Sequence, residues 1–441
     1  MDFRTNLTKF CKLYPELKMQ FTYYDWQTDF FRFYKSQTNY NISKHKSSLS
    51  ATIHKGKHSY SFSLNDPTIE KLKEKVKETE AIIEKLPEDP DFIDIESDTT
   101  TADEKEIPNN IEKVSLDKKI AILTKIAQAV EPYDFKIYGS FICNYVTKYY
   151  INSNGINKSE VNSPIMLELK AVSEKNEVTV IESYGSENFS SFNEEEFIHN
   201  LTAKVKAAQN EIVDVEPGKY EVILAPRAIG MFWAFLSFGM HAKTLDAKMS
   251  FFENKENQKI FPENINLEDD PHNSDLVNFN YDSNGHIYNS LSLIENGVFK
   301  NFMVDNYYGR KLNKEINGAE GSALVMKTGK TNLADMIKSI DKGLFISNLH
   351  YMNFINFKET SVTGLTRDGT FLIENGKITK VVNNLRYTEK ISDIINSITA
   401  IEANSYPIPS SSNYDTFSIN SFKMPHVKVE DFKISSSTNK I

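Results

Sequence analysis

The chain has 441 residues, 40% of them hydrophobic, which is enough apolar material for roughly two or three domains. A net charge of −9 argues against a general nucleic-acid binder and against a polybasic membrane-surface protein. Cys11 and Cys143 lie far apart with no CxxC pairing, which suits a reducing compartment and gives no sign of a structural zinc module. The opening MDFRTNLTKFCKLYPELKMQ has no basic start followed by an apolar core, so no signal peptide is expected. The longest apolar run, Ala228 to Met240, falls short of the roughly 20 residues that span a bilayer. The expectation is a soluble, cytoplasmic protein.

From about Phe21 to Leu64 the chain reads as strands, with SATIHKGKHSYSFSL alternating around a KGK turn as a hairpin does. Asp66 then reads as an N-cap with Pro67 at the first helical position, ahead of an apolar face of Ile69, Leu72, Val76, Ile83 and Leu86. LPEDPDFIDIESDTTTADEKEIPNN is rich in acid, Pro and Thr and marks a boundary, a linker in which Phe92 and Ile93 dock. Ser115 caps a second helix whose Leu116, Ile120, Leu123 and Val130 share a face. SPIMLELKAVSEKNEVTVIESYG reads as two strands about a polar turn, and Asn193 with Glu196 resembles a capping box for a helix through about Gln209. From about Asp275 short strands dominate, with one helix near Leu333 to Lys342. LIENGV (293–298) and LIENGKI (372–378) each place Asn-Gly between β-rich runs, the strongest short-range hairpin signal.

Candidate chemistry is sparse. MFWAFLSFGMH, residues 231–241, follows a strand and ends on His241, where a helical zinc site would keep its ligands. Such a site needs two ligands on one face, a third ligand and a carboxylate to activate water. No glutamate lies between Arg227 and His241, and one histidine cannot hold zinc, so a hydrogen-bonded, partly buried histidine is the plain alternative. The other histidines are scattered singly. His54 and His58 are four apart but flank the hairpin turn, as surface residues do. Cys143 reads as a small buried hydrophobe. KTGKT lacks the first glycine of a phosphate loop at the required spacing, and LEDDPHNSDLVNFNYDSNGH lacks the alternating ligands of a calcium loop.

In its C-terminal half the chain resembles the TldD/TldE (PmbA) family, once described as modulators of DNA gyrase. The resemblance rests on PGKYEVILAP ahead of the apolar helix and on LIENGVFKNFMVDNYYGRKLN with Asp305, Tyr307, Arg310, Lys311 and Leu312 in place. It rests also on KTNLADMIKSIDKGLFIS with Thr331, Asn332, Gly343 and Leu344, and on VTGLTRDGTFLIENGKI with Thr363, Gly364, Arg367 and Glu374-Asn375-Gly376. It is strong from about Pro217 to Ile398. The TldD branch carries HExxxH on the site helix and a cysteine ligand late in the chain, and the TldE branch is its partner without that motif. Together they form a zinc protease acting on unfolded or small peptides. Setting His241 at the second histidine puts Leu236 and Ser237 at the His and Glu positions, and there is no cysteine after Cys143. LTRDGT departs from the family's usual SRG at Arg367.

The resemblance therefore implies a metal-free TldE-like chain of α+β class: N-terminal α/β segments followed by an antiparallel β-rich C-terminal domain built around the site helix. The expected divisions are 1–105, 106–216 and 217–441. No catalytic or metal-ligating residue is assigned. Arg227, His241, Arg310 and Arg367 are candidates for peptide-carboxylate or interface contacts, the plainer alternative for each being a structural salt bridge or cap. No cofactor is expected in this chain, with zinc only in a TldD-type partner. Expected partners are a TldD-like subunit in a heterodimer, or a second copy, and a peptide, with neither nucleic acid nor membrane. Two other readings stand beside this one, a stand-alone peptide-binding or regulatory homodimer and a divergent metallopeptidase active on its own.

Overall fold

The computed structural model describes residues 3–97, 114–187, 189–287, 289–409 and 419–437. The first part of the chain runs α1 (Phe3–Cys11), β1 (Lys18–Tyr34), β2 (Gln37–Lys55), β3 (His58–Asn65), α2 (Ile69–Ile82), α3 (Leu116–Val130), β4 (Phe135–Asn152), β5 (Asn157–Asn162), β6 (Ile165–Ser173), β7 (Thr179–Ser186) and α4 (Glu194–Ala207). Its strands form one antiparallel sheet in the order β3-β2-β1-β4-β6-β7, with β5 beside β4. Strands from both sides of the acidic linker thus share a sheet. Alternation along β1 puts Met19, Phe21, Phe31 and Phe33 on one face. The first pair packs with α1 and α2, the second with α3 and α4. β6 repeats the pattern: Ile165, Leu167, Leu169 and Ala171 enter the core under the helices, so Met166, Glu168 and Lys170 face the other way.

The caps at Ser115 and Asn193 form as the sequence predicts, accepting from the backbone N–H of Lys118 and Glu196. α2 differs. Asp66 turns the chain at φ 44°, and Thr68 is the cap, accepting from Lys71 N–H. α3 also differs in the face it buries: Ile122, Leu123, Ile126 and Val130 pack inward while Leu116 and Ile120 are exposed. The Ile122/Ile126 pair, one turn apart, sets the stripe. His54 is buried, bonded to Ser59 and set edge-on to Phe92, so the opening of the linker docks as expected. Linker positions 98–113 lie outside the described residues.

The remainder comprises β8 (Ile212–Val213), β9 (Gly218–Leu224), α5 (Pro226–Ser237), α6 (Ala242–Asp246), β10 (Leu267–Asp269), β11 (Leu291–Glu295), β12 (Val298–Phe299), α7 (Asn306–Leu312), β13 (Leu324–Met326), α8 (Leu333–Lys338), β14 (Lys342–Asn356), β15 (Ser361–Glu374), β16 (Lys377–Val382), β17 (Leu385–Lys390), α9 (Ile391–Asn396), β18 (Ile398–Ile401), β19 (Tyr406–Pro409), β20 (Ser421–Met424) and β21 (Val427–Ser437). One sheet runs β12-β11-β10-β13-β20-β19. In the other the pairings β14-β9-β21-β17-β15 return to β14, closing a ring, with β16 and β8 continuing from β15. Both Asn-Gly hairpins form with two positive φ values, 50° and 76° at Asn296-Gly297 and 49° and 71° at Asn375-Gly376. The fold is α+β and rich in antiparallel sheet, as expected. No helix among the described residues is long and apolar enough to cross a membrane.

α5 lies between these two C-terminal sheets, packed on β14, β9, β19 and β20. Ala228, Ile229, Phe232, Trp233 and Leu236 all belong to the main core. Trp233 is fully buried and donates its Nε1–H toward Met326 Sδ at 3.3 Å. Trp233→Ala should lower the unfolding free energy by about 3–5 kcal/mol in denaturant titrations. A loss under about 1 kcal/mol would show that α5 is not a central packing element.

Candidate functional site

Pro226 opens α5 with its fixed φ, after Ala225, which offers no side-chain cap. The positions that the family resemblance matches to a histidine and a glutamate are spent on structure. Leu236 is a core residue, and the Ser237 hydroxyl donates to Ala234 O at 2.8 Å. The α-helix ends at Ser237, a 3-10 turn covers Phe238–Met240, and His241 takes extended angles, φ −81° and ψ 138°. It pairs with Met303 and stands outside the helix. Burial, the largest influence, pushes its pKa below the ordinary value, against an opposing pull from Asp305. The donor set does not fit zinc. Among the described residues there is no group of three or more His, Cys, Asp or Glu that could hold a metal. Cys11 and Cys143 are buried free thiols, each pushed up to about 11 by burial.

The polar chemistry lies at the other end of α5, where it meets the face of β6 and β7 turned away from α3 and α4. Arg227 pairs with Glu168 at 2.7 Å, donates from Nε to Asn348 Oδ1 at 2.9 Å and reaches Ser183 Oγ at 3.3 Å. Asn348 in turn donates to Asp368 at 3.3 Å. The Asp368 carboxylate, 1% exposed, takes Lys170 at 2.7 Å and the Thr179 hydroxyl at 2.7 Å, and Arg367 Nε stands 4.0 Å away. A single hydrogen-bonded network thus joins the N-terminal sheet to β14 and β15.

Two of the four arginine and histidine candidates, Arg227 and Arg367, come together here. Arg367 keeps a buried Nε with no hydrogen-bond partner and a side chain one-third exposed. Arg310 and His241 stand apart. Arg310 is exposed on α7, whose ion pairs are made instead by the adjacent Lys311, to Asp91 and Asp246. Sequence reasoning missed Asp368, Asn348, Lys170 and His350. Its one available signal was Asp-Gly inside a strand, a bulge motif. Asp368 takes φ 56° and Gly369 φ 116°, the β14–β15 register shifts there, and the carboxylate swings onto Lys170. His350 sits in the field of the cations: burial, then Arg367 and Lys170, hold its pKa below the ordinary value.

Burial is the largest influence on Asp368 and would raise its pKa. Lys170, Thr179 and Arg367 together outweigh it and hold the carboxyl below the usual range. A depressed folded pKa stabilises the fold above the unfolded value, about 3.9, and that stability is lost as pH falls through the lower folded pKa. Asp368→Asn should therefore cost about 1–3 kcal/mol at pH 7 by denaturant unfolding. The gap to wild type should persist to about pH 4 and shrink only below it. A gap already closing near pH 6 would refute the depressed carboxyl.

Residues 217–436 match the PmbA/TldA metallopeptidase C-terminal domain, and residues 109–210 match its central domain. A zinc metalloprotease TldD homolog of Saccharolobus solfataricus is 25% identical over 382 residues, covering 79% of this chain and 80% of its own. A metalloprotease PmbA homolog of Buchnera aphidicola is 21% identical over 211 residues, 47% of each chain. In fold the chain is similar to TldE from Thermococcus kodakarensis, with a TM-score of 0.86 at 19% identity over 98% of this chain and 99% of that one. It is similar also to a putative modulator of a DNA gyrase from Thermotoga maritima, with a TM-score of 0.82 at 15% identity, again over 98% and 99%. The two matched domains take up most of the sequence, and the chain belongs to the PmbA/TldD family of metallopeptidase-related proteins.

Proposed function

We propose that this chain is a metal-free, TldE-like subunit that binds peptide beside a TldD-type zinc metalloprotease. The observation that carries the reading is the character of α5. Where the protease branch presents two histidines and a glutamate, this helix presents core side chains from Ala228 to Leu236, and the imidazole of His241 stands beyond its end. Hydrolysis through zinc needs ligands plus a base for the bound water. Neither comes from this helix, so the chemistry falls to the partner.

The seam at Arg227 and Arg367 supports a role in holding peptide. Arg227 is committed to Glu168, but Arg367 has a buried Nε with no hydrogen bond, only a distant ion pair with Asp368, and a side chain one-third exposed, a fork suited to a carboxylate. Its task would be to take an acidic side chain or the C-terminal carboxylate of the peptide.

The test is metal content and peptide cleavage for the lone chain and for the chain co-expressed with an HExxxH-bearing relative. The lone chain should carry no stoichiometric zinc and cleave nothing, while the co-purified pair cleaves. Zinc at one per chain with cleavage by the lone protein would overturn the proposal, as would a homodimer that ignores the relative. In the active pair, Arg367→Ala should raise KM roughly tenfold or more with kcat little changed, since a charge-assisted bond is worth about 1.5–3 kcal/mol. Arg310→Ala should change neither.

A further inference from the structure

A cavity of about 680 Å³ opens on the opposite side of Arg227, between α4 and the start of α5, with β14 and the 403–408 segment completing its walls. This is within the range of small-molecule sites, about 300–1,000 Å³. Phe197, Phe345, Phe371 and Ile337 give it an apolar wall, and the rest of its lining is mixed with polar residues. The cations on its wall are already neutralised: Lys204 by Glu182 at 2.9 Å, Lys423 by Asp275 at 2.6 Å, and Arg227 by Glu168.

One polar group is aimed and fixed. His426, in the turn between β20 and β21, lines the cavity and sets Nδ1 2.6 Å from Glu402 Oε2. Glu402 is 3% exposed at its side chain and is held in place from its other oxygen by the Tyr406 hydroxyl at 3.1 Å. The imidazole is flanked by Phe345 and Tyr406, ring centroids 5.9 and 5.6 Å away. With Nδ1 bonded to a carboxylate the ring is held in one orientation, and Nε2 is the nitrogen left for another partner. Tying the two strands together does not require this pair, because Glu402 N–H already donates to His426 O at 2.9 Å.

The geometry points to a binding site for a small neutral molecule that carries an aromatic or branched apolar group and a polar hydrogen-bonding group such as an amide, the amide meeting His426 Nε2 and the apolar group meeting Phe345, Phe197 and Phe371. Anions are disfavoured because every lining cation is paired and Glu402 stands behind the imidazole. The cavity shares Arg227 and Ser183 with the seam, but Arg367 does not line it.

N-acetyl-L-phenylalaninamide is a suitable probe for the purified full chain, with N-acetyl-L-phenylalanine as its charged counterpart, each titrated by calorimetry or ligand-observed NMR. The amide should bind saturably at one site per chain, and the carboxylate at least tenfold more weakly. His426→Gln should weaken the amide roughly tenfold, the worth of one buried hydrogen bond. Ala203→Trp, at an exposed position on the rim contributed by α4, should block binding without disturbing the fold. Absence of saturable binding overturns the assignment. Equal binding of the two probes does so too, as does binding that survives Ala203→Trp. Should His426→Gln fail to fold, the Ala203→Trp result decides alone.

Discussion

Where β6 and β7 meet β14 and β15, the structure is organised around one desolvated carboxylate. Asp368 is removed from water, and an isolated buried carboxylate would cost several kcal/mol. Lys170 and Thr179 come to it from the N-terminal sheet, and Asn348 and Arg367 from the C-terminal strands. Neither half satisfies it alone. The same contacts hold β6 and β7 against β14 and β15, and they leave Arg367 beside a carboxylate it does not fully engage.

Arg227 adds a second constraint. A cation in the first turn of a helix opposes the helix dipole, which favours negative charge there. Arg227 is tolerated at the start of α5 because Glu168 lies 2.7 Å away on the facing sheet. The helix start and the sheet face are therefore matched to each other. Arg227 forms part of the seam on one side and of the apolar cavity on the other, with its guanidinium spent on the seam. That division is why the seam reads as a carboxylate site and the cavity as a neutral one.

What the sequence made legible follows from how local each signal is. Asn-Gly turns and the caps at Ser115 and Asn193 are decided within four residues, and they form where expected. Thr68 displaced Asp66 as the cap through a contest one residue either side of Pro67, which composition does not settle. The buried face of α3 was misread because Leu116 and Ile120 are as apolar as Ile122 and Ile126, and only the position of the sheet chooses between them. The lost metal motif was legible as missing residues. Its register was not, since the end of α5 at Ser237 and the extended angles of His241 depend on pairing with Met303, far along the chain.

The polar groups of the site were the least legible, and for one reason. Glu168, Lys170, Asn348 and Asp368 come from three strands, and Glu402 and His426 lie on opposite sides of a segment outside the described residues. Each is an ordinary polar residue in its own stretch of chain, and in the sheet alternation of β6 Glu168 and Lys170 read as a solvated face. That face is covered, so its charges have to find partners across the boundary. Polar residues on the apparent outer face of a sheet then identify the interface, and Arg367 remains within it with a buried Nε that makes no hydrogen bond among the described residues.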